Sequence, residues 1–565
     1  MQIPASQGFH SNKDSPFRTT AVRHWPLWVA LVSLWVSTGV LQFLASLQTH
    51  GRLIYTLDDA YIHMAMAKNI ALHGVYGVTR YEFSSSSSSP LWTLLLAAFY
   101  SIFGVHESFP LILALLIASG ALIVAYAFLY TTVKNQIGLM LVLMAIVFLT
   151  PLPVLISSGM EHPLHILLAF MFIGFFARTI TDDAAARNKS TLPLLCLLSG
   201  LLVLTRFESY ALVLIVCIIY ALRRRWVISL GVVCSAMLPL VVYQAISVAH
   251  GWSWLPNSIL VRGNIHSRSM FNSIESMLFV PWTSPHFLSF ILGGWRRFLV
   301  APHIAALVGT AGLVLIISWA RSKRFWKSEH MVLVAYILAA IAHLQFGRTG
   351  HFFRYDAYLV AVGIFVLTIA TPGLIGPFVH WMASGKVRIA AGCAVILLAL
   401  QLLVPLLTRS VLSLPLIPAA SRNIYEQQYQ MGLFLRQYYG GKTIVANDIG
   451  AITFLADIHL VDLVGLASAD VYRLRSSNGY NAESISQLCD ARKACVAVVY
   501  ELWLDNGGLA GIERTWKKAG TWKIKDAVVV GSNVVSFFAT CPSEEEPLRN
   551  HLREFSEMLP VDVEY

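Results

Sequence analysis

The feature that most limits the fold is a series of apolar runs, each about 17 to 25 residues long, that begins near Trp25 and recurs until about Thr408. Each can cross a hydrocarbon core about 30 Å thick as one helix. Lipid offers the backbone no hydrogen-bond partners, so a spanning segment must satisfy its own amides, as a helix does. The expected fold class is a polytopic α-helical membrane protein that ends, where the hydropathy collapses, in a soluble α/β domain. The chain is 13% charged, against roughly 25% in ordinary soluble proteins. A net charge of +11 would suit a nucleic-acid binder if the chain were soluble. Here Lys and Arg gather in short loops between apolar runs, the topological bias of membrane proteins. The lipid bilayer is the expected partner and nucleic acid is not.

That bias orients the spans. Residues 1–24, with Lys13, Arg18 and Arg23, are taken as cytoplasmic; the loops at Lys134, at Arg178 with Arg187 and Lys189, at Arg223 to Arg225, at Arg321 to Lys327, and at Lys386 with Arg388 then share that side. The run from Trp25 to Leu47 is too long for a signal-peptide core and lacks a small-residue cleavage site, so it is an uncleaved first span. Pairing the later runs gives about eleven spans in a transmembrane module at 25–420, with 421–565 emerging on the outer face. Residues 48–108 form the first outer loop. Within it PLWTLLLAAFYSIF, Pro90 to Phe103, is too short to span and is expected as a re-entrant or interfacial helix.

On this topology five polar stretches share the outer face: TLDDAY (56–61), SSGMEH (157–162), TRFES (205–209), SWLPNS (253–258) and GRTGHFFRYD (347–356). One alone would be an anchor or a helix cap. Five together favour a common site. In the tail, KTIVAND, IHLVDLVG and ACVAVVYE are expected strands, IGAITFLAD a short helix, and DAVVVGSNVVSFFAT a hairpin turning at Gly531, Ser532 and Asn533. An oxidising compartment would permit one disulfide among Cys489, Cys495 and Cys541. The six serines from Ser84 to Ser89 are expected to be a flexible loop.

The adjacent carboxylates Asp58 and Asp59 are the sharpest chemical signal. After them Ile62, Met66 and Ile70 recur four apart, which predicts an amphipathic helix along the membrane interface. Its dipole and free amides favour carboxylates at the N-terminal end, where N-capping is one reading of Asp58. Capping accounts for one aspartate, hardly for both. A carboxylate at a lipid-facing mouth either accepts a proton from an attacking hydroxyl or binds a cation. His63 and His73 match no metal spacing, so no metal ligand is assigned and a general base is preferred. Lys68, Arg80, Arg206, Arg262, Arg348 and Arg354 share the face and suit a phosphate leaving group.

LDDAYIHMAMAKNIALHGVYG, SSPLWTLLLA, SSGMEHPLH, LTRFESYAL, WLPNS, NDIGAITFLAD and VDLVGL together resemble the membrane-embedded glycosyltransferases of the GT-C fold that take a polyprenyl-phosphate-linked sugar as donor. The resemblance covers most of the chain. It is closest to bacterial transferases similar to the mycobacterial arabinofuranosyltransferases, and more distant from lipid A aminoarabinose transferases and protein O-mannosyltransferases. It implies Asp59 as catalytic base, Asp58 as its neighbour, Glu161 as a second acid near the site, and Arg206 with Glu208 lining it. Lys68, Tyr61, Asn257 and Arg354 complete the candidate substrate-binding set. The resemblance further implies a bacterial inner membrane with a periplasmic C-terminal domain, a glycan, lipid or protein acceptor, and a single inverting displacement. It implies no firmly required cofactor and leaves a divalent metal open, since the metal near some relatives' sites has no clear ligand match here. Ser89-Pro90 departs from the Pro-Pro of distant members.

Two other classes fit a polytopic chain. A transporter or flippase of lipid-linked glycans would hold ionisable residues near mid-membrane in paired halves, whereas these acids sit at helix ends. An O-antigen polymerase or ligase would not require the paired aspartates.

Overall fold

The computed structural model describes residues 24–182, 190–254, 257, 298–374 and 388–565. Nine helices among them are long and apolar enough to cross a membrane: Trp25–Leu47, Phe109–Leu129, Gln136–Ser157, His162–Thr179, Trp226–Ala249, Pro302–Ser322, Ser328–Phe346, Ala357–Leu374 and Gly392–Ser413. Two shorter apolar helices, Thr191–Thr205 and Ser209–Leu222, pack against Trp226–Ala249. The eleven expected spans are therefore all helical, and the protein is a multi-pass membrane protein with a C-terminal α/β domain. The two short helices are one apolar run interrupted by Arg206-Phe207-Glu208, where Arg206 adopts an extended backbone. That break delivers two charged side chains to one end of the bundle.

The first outer loop departs from expectation in an informative way. Helix Asp58–His73 begins after Leu57 and stops at Gly74, whose left-handed φ of 68° turns the chain while its amide meets the Ile70 carbonyl and the Val75 amide meets that of Asn69. Asp58 is thus the first helical residue and not the N-cap. Nor is the helix two-faced: Ala60 to Ala67 are all buried. Ile62 and Met66 join the core of the C-terminal domain, while Tyr61, Met64 and Ala65 pack with Tyr55, Met160 and Phe454. The apolar stripe that suggested a lipid interface is covered by protein instead. Helix Pro90–Phe103, 14 residues long, lies against Asp58–His73; Ser89 caps it by accepting from the Trp92 amide.

The serine run is a buried strap, against the expectation of a flexible loop. Ser85 pairs with the Tyr243 hydroxyl at 2.9 Å, Ser86 donates to the Leu466 carbonyl at 3.1 Å, and Ser87 pairs with Thr93 at 3.0 Å. Small hydroxyls suit this buried place because they meet partners in it.

In the C-terminal domain five strands, β1 (Thr443–Ala446), β2 (His459–Asp462), β3 (Ala494–Val499), β4 (Lys517–Lys523) and β5 (Val534–Ala539), lie in the order β2-β1-β3-β5-β4. The first three are parallel, and β5 runs antiparallel to β3 and β4. The expected hairpin is corrected: β5 pairs with KKAGTWK, and residues 526–533 are a loop. Val529 and Val530 face the cluster around Tyr61 and Phe454, which takes these β-branched residues away from the sheet. Cys495 and Cys541 form a disulfide, and Cys489 is a buried free thiol.

Replacing Ser87 by Ala leaves the buried Ser89 amide without its 3.1 Å acceptor. The expected cost is about 1–3 kcal/mol, read as a lower Tm in detergent; a flexible linker would show no change.

Candidate active site

Four of the five polar stretches meet at the end of the bundle that carries the C-terminal domain. Asp59, in the first turn of its helix, pairs with Arg354. Arg354 is 1% exposed and Asp59 15%, so the guanidinium is locked in while the carboxylate remains reachable. Arg354 also donates to the Met160 sulfur at 2.8 Å and lies 4.9 Å from the Tyr355 ring centroid.

Arg206 stands 5.4 Å from the same ring. Its guanidinium binds Glu161 at 2.7 Å and Glu208 at 2.5 Å, the second contact made bidentate by its Nε at 3.1 Å. Glu161 is fully buried, whereas Glu208 is 25% exposed and looks into the site. Burial pushes the Glu161 carboxyl up, but the neighbouring His162, Arg206 and His63 outweigh it and hold it at about 2. Glu208 behaves alike: burial raises it, and Arg206's charge and hydrogen bonds bring it to about 2. His63 extends the network, 3.6 Å from Glu161 and 2.9 Å from the Thr93 hydroxyl.

Arg354 arrives on an unusual backbone. Gly350, His351, Phe352 and Phe353 all have positive φ, from 44° to 72°. For side-chain-bearing residues this left-handed region costs on the order of 1–2 kcal/mol each. Asp356 pins the turn from behind: it is fully buried and holds Arg409 at 2.9 Å and His303 at 2.6 Å, while Arg409 also donates to the Phe353 carbonyl. Strain of this kind persists only where surrounding contacts over-determine it.

The remaining candidates lie elsewhere. Asp58 accepts the amides of Gly450 and Ala451, capping helix Gly450–Leu455 of the C-terminal domain instead of its own. Lys68, nine residues beyond Asp59 and so about 13 Å along the helix, donates to the Phe454 carbonyl at 2.5 Å. Tyr61 is buried, its hydroxyl accepting from the Tyr55 amide at 3.3 Å. Asn257 donates to the Gly465 carbonyl at 2.8 Å and so joins the fourth stretch to the domain, not to the charged cluster. Arg80 pairs with Asp457; Arg262 lies outside the described residues. Three contributors escaped the sequence reading: Tyr355, Met160 and Asp448. The first two sit beside residues that were singled out. Asp448 had only the signal of an acidic residue directly after a strand.

A metal does not fit these residues: among those described, no group of three or more His, Cys, Asp or Glu is arranged to hold one, and Arg354 already occupies Asp59.

Residues 422–538, the greater part of the C-terminal domain, match a family model described as "Domain of unknown function (DUF8728)". No curated protein matches the chain in sequence. Two solved structures of ArnT from Cupriavidus metallidurans are similar to it at 13% identity. The one bound to undecaprenyl phosphate has a TM-score of 0.48 and covers 90% of this chain and 98% of its own; the apo form has a TM-score of 0.46 and covers 91% and 99%.

Because Glu161 and Glu208 are held at about 2 against an ordinary 4.5, their pairing with Arg206 stabilises the fold fully above pH 4.5. That contribution is lost as pH falls from 4.5 toward 2. Wild-type Tm is expected to drop through that window. Arg206→Ala leaves Glu161 buried without its strongest partner, and is expected to cost about 3–5 kcal/mol at pH 7 and to flatten the acid limb.

Proposed function

We propose that this protein is a membrane glycosyltransferase of the GT-C type, arabinofuranosyltransferase-like in its first outer loop, which moves a sugar from a polyprenyl phosphate to an acceptor hydroxyl with inversion. The observation that carries the reading is the Asp59–Arg354 pair: a reachable carboxylate and a buried guanidinium on one another, at a helix terminus beside the membrane module. A base for the acceptor and a cation for the leaving phosphate are the two groups this chemistry needs, and they must stand within one sugar's width.

Asp59 takes the acceptor proton as the acceptor oxygen bonds to the anomeric carbon. The bond from that carbon to the phosphate oxygen breaks, its electron pair leaving with the phosphate. Arg354 is the better partner for that charge, since Arg206 is already matched by two carboxylates. Preorganised charge where charge develops supplies the largest share of such catalysis. Glu208 offers an exposed acceptor oxygen to sugar hydroxyls, and Glu161 with Arg206 keeps it in place. The basic loops support a C-terminal domain on the non-cytoplasmic side, and the resemblance to bacterial transferases supports a bacterial inner membrane with that side periplasmic. It suits a lipid-linked donor, and no nucleotide-sugar motif is needed. Mid-membrane charges in paired halves would favour a transporter; the charges here sit at helix ends.

In liposomes holding a set of undecaprenyl-phosphate sugars, wild type is expected to transfer or hydrolyse one of them. Asp59→Asn should lower that rate about 10²–10⁴-fold in protein that still folds, its Tm lowered because buried Arg354 loses a carboxylate partner, and Arg354→Ala should weaken donor binding as well as the rate. Substantial turnover by folded Asp59→Asn would sink the base assignment. Inactivity of wild type with every lipid-linked donor would return the transporter reading.

A further inference from the structure

The acidic helix and the C-terminal domain meet at one short contact. Asp58 accepts from the Gly450 amide at 2.6 Å and the Ala451 amide at 2.7 Å, and its carboxyl group hydrogen-bonds that of Asp448. Asp448 leaves the carboxyl end of β1 and accepts from Gln428 Nε2 at 2.7 Å, with the Tyr500 hydroxyl at 3.2 Å. Gln427 and Gln428, consecutive in sequence, both reach Tyr500, at 2.7 and 2.8 Å. They do so from Tyr425–Tyr429, a π-helical turn that brings neighbouring side chains to one face. Gly450 admits no side chain, since a Cβ there would lie 2.1 Å from the Asp58 carbonyl oxygen.

We propose that Asp448 is a positioning residue for the active site: its carboxyl group clamps Asp58 onto helix Gly450–Leu455 and so fixes the adjacent Asp59. The inference rests on the glycosyltransferase reading for its effect on rate, but the clamp can be observed without it. Two neighbouring buried carboxyl groups oppose each other's ionisation, so the pair keeps a proton to higher pH than either group would alone. Burial, then the charge of Asp448, pushes Asp58 well up; burial likewise raises Asp448. The groups facing the pair are Asp59, which adds negative charge; Tyr500, which burial keeps neutral; the amides of Gln427 and Gln428; and the two backbone N–H groups. With both pKa values raised, the clamp is complete at low pH and is lost as pH rises through the raised values. Loss of that proton sets two anions against each other at the domain contact.

The test is hydrogen exchange over residues 58–73 and 450–455 in the full-length protein, beside kcat and donor KM across pH. Wild type should show an alkaline limb in which exchange rises and kcat falls together. Asp448→Ala should lower kcat about tenfold or more with little change in donor KM, and expose both segments to exchange. Asp448→Asn is neutral and can donate to Asp58; it should recover most of that loss and remove the alkaline limb. Gly450→Ala should open the contact as Asp448→Ala does. The proposal is overturned if Asp448→Ala keeps wild-type exchange and kcat, or if Asp448→Asn is as damaged as Asp448→Ala. If wild type transfers no sugar, the exchange measurement still decides the clamp, and only the functional reading falls.

Discussion

Everything at the active end of this molecule depends on how charges are tolerated beside lipid. A charge there must have a partner, and its partner must be fixed. Asp59 meets Arg354, while Arg206 meets Glu161 and Glu208. The first pair joins the first outer loop to the turn before helix Ala357–Ala370, and Arg206 joins the start of helix His162–Thr179 to the break before Ser209–Leu222, so the segments that supply the site also hold one another in register. Tyr355 lies within cation–π reach of both guanidiniums and makes the two pairs one assembly.

The C-terminal domain belongs to the same assembly. Ile62 and Met66 complete its core, Lys68 and Asp58 bind helix Gly450–Leu455, and Ser86 and Asn257 both reach the Gly465–Leu466 carbonyls. Without this domain the acidic helix would expose an apolar stripe and leave the Asp58 carboxyl unpartnered. The matched domain of unknown function thus packs directly against the helix that carries Asp59.

The sequence made part of this legible. Apolar run length sets the spans because the bilayer fixes it, and Asp59, Glu161, Arg206, Glu208 and Arg354 stood out because charge is rare in such a chain. What escaped was decided by tertiary partners. Asp58 caps a helix nearly four hundred residues away in sequence, which no local pattern encodes. The serines look like a linker until Tyr243, Thr93 and Leu466 supply partners. KKAGTWK lacks the β-branched density of a strand, yet it pairs with β5, while the more strand-like Val528–Val530 serves the domain contact.

The two arginines differ in what they can do. Arg206 is bound by two carboxylates and carries no spare charge, so its place is structural: it holds Glu208 toward the site. Arg354 answers the carboxylate of Asp59, on a left-handed turn kept in place by Asp356, Arg409 and His303. The strain of that turn has no return in folding that the surrounding contacts reveal. It does place a guanidinium against the reachable carboxylate of Asp59. Backbone cost concentrated at one ion pair, beside a helix terminus whose carboxylate stays partly exposed, marks the pair as the feature to which the rest of the fold is fitted.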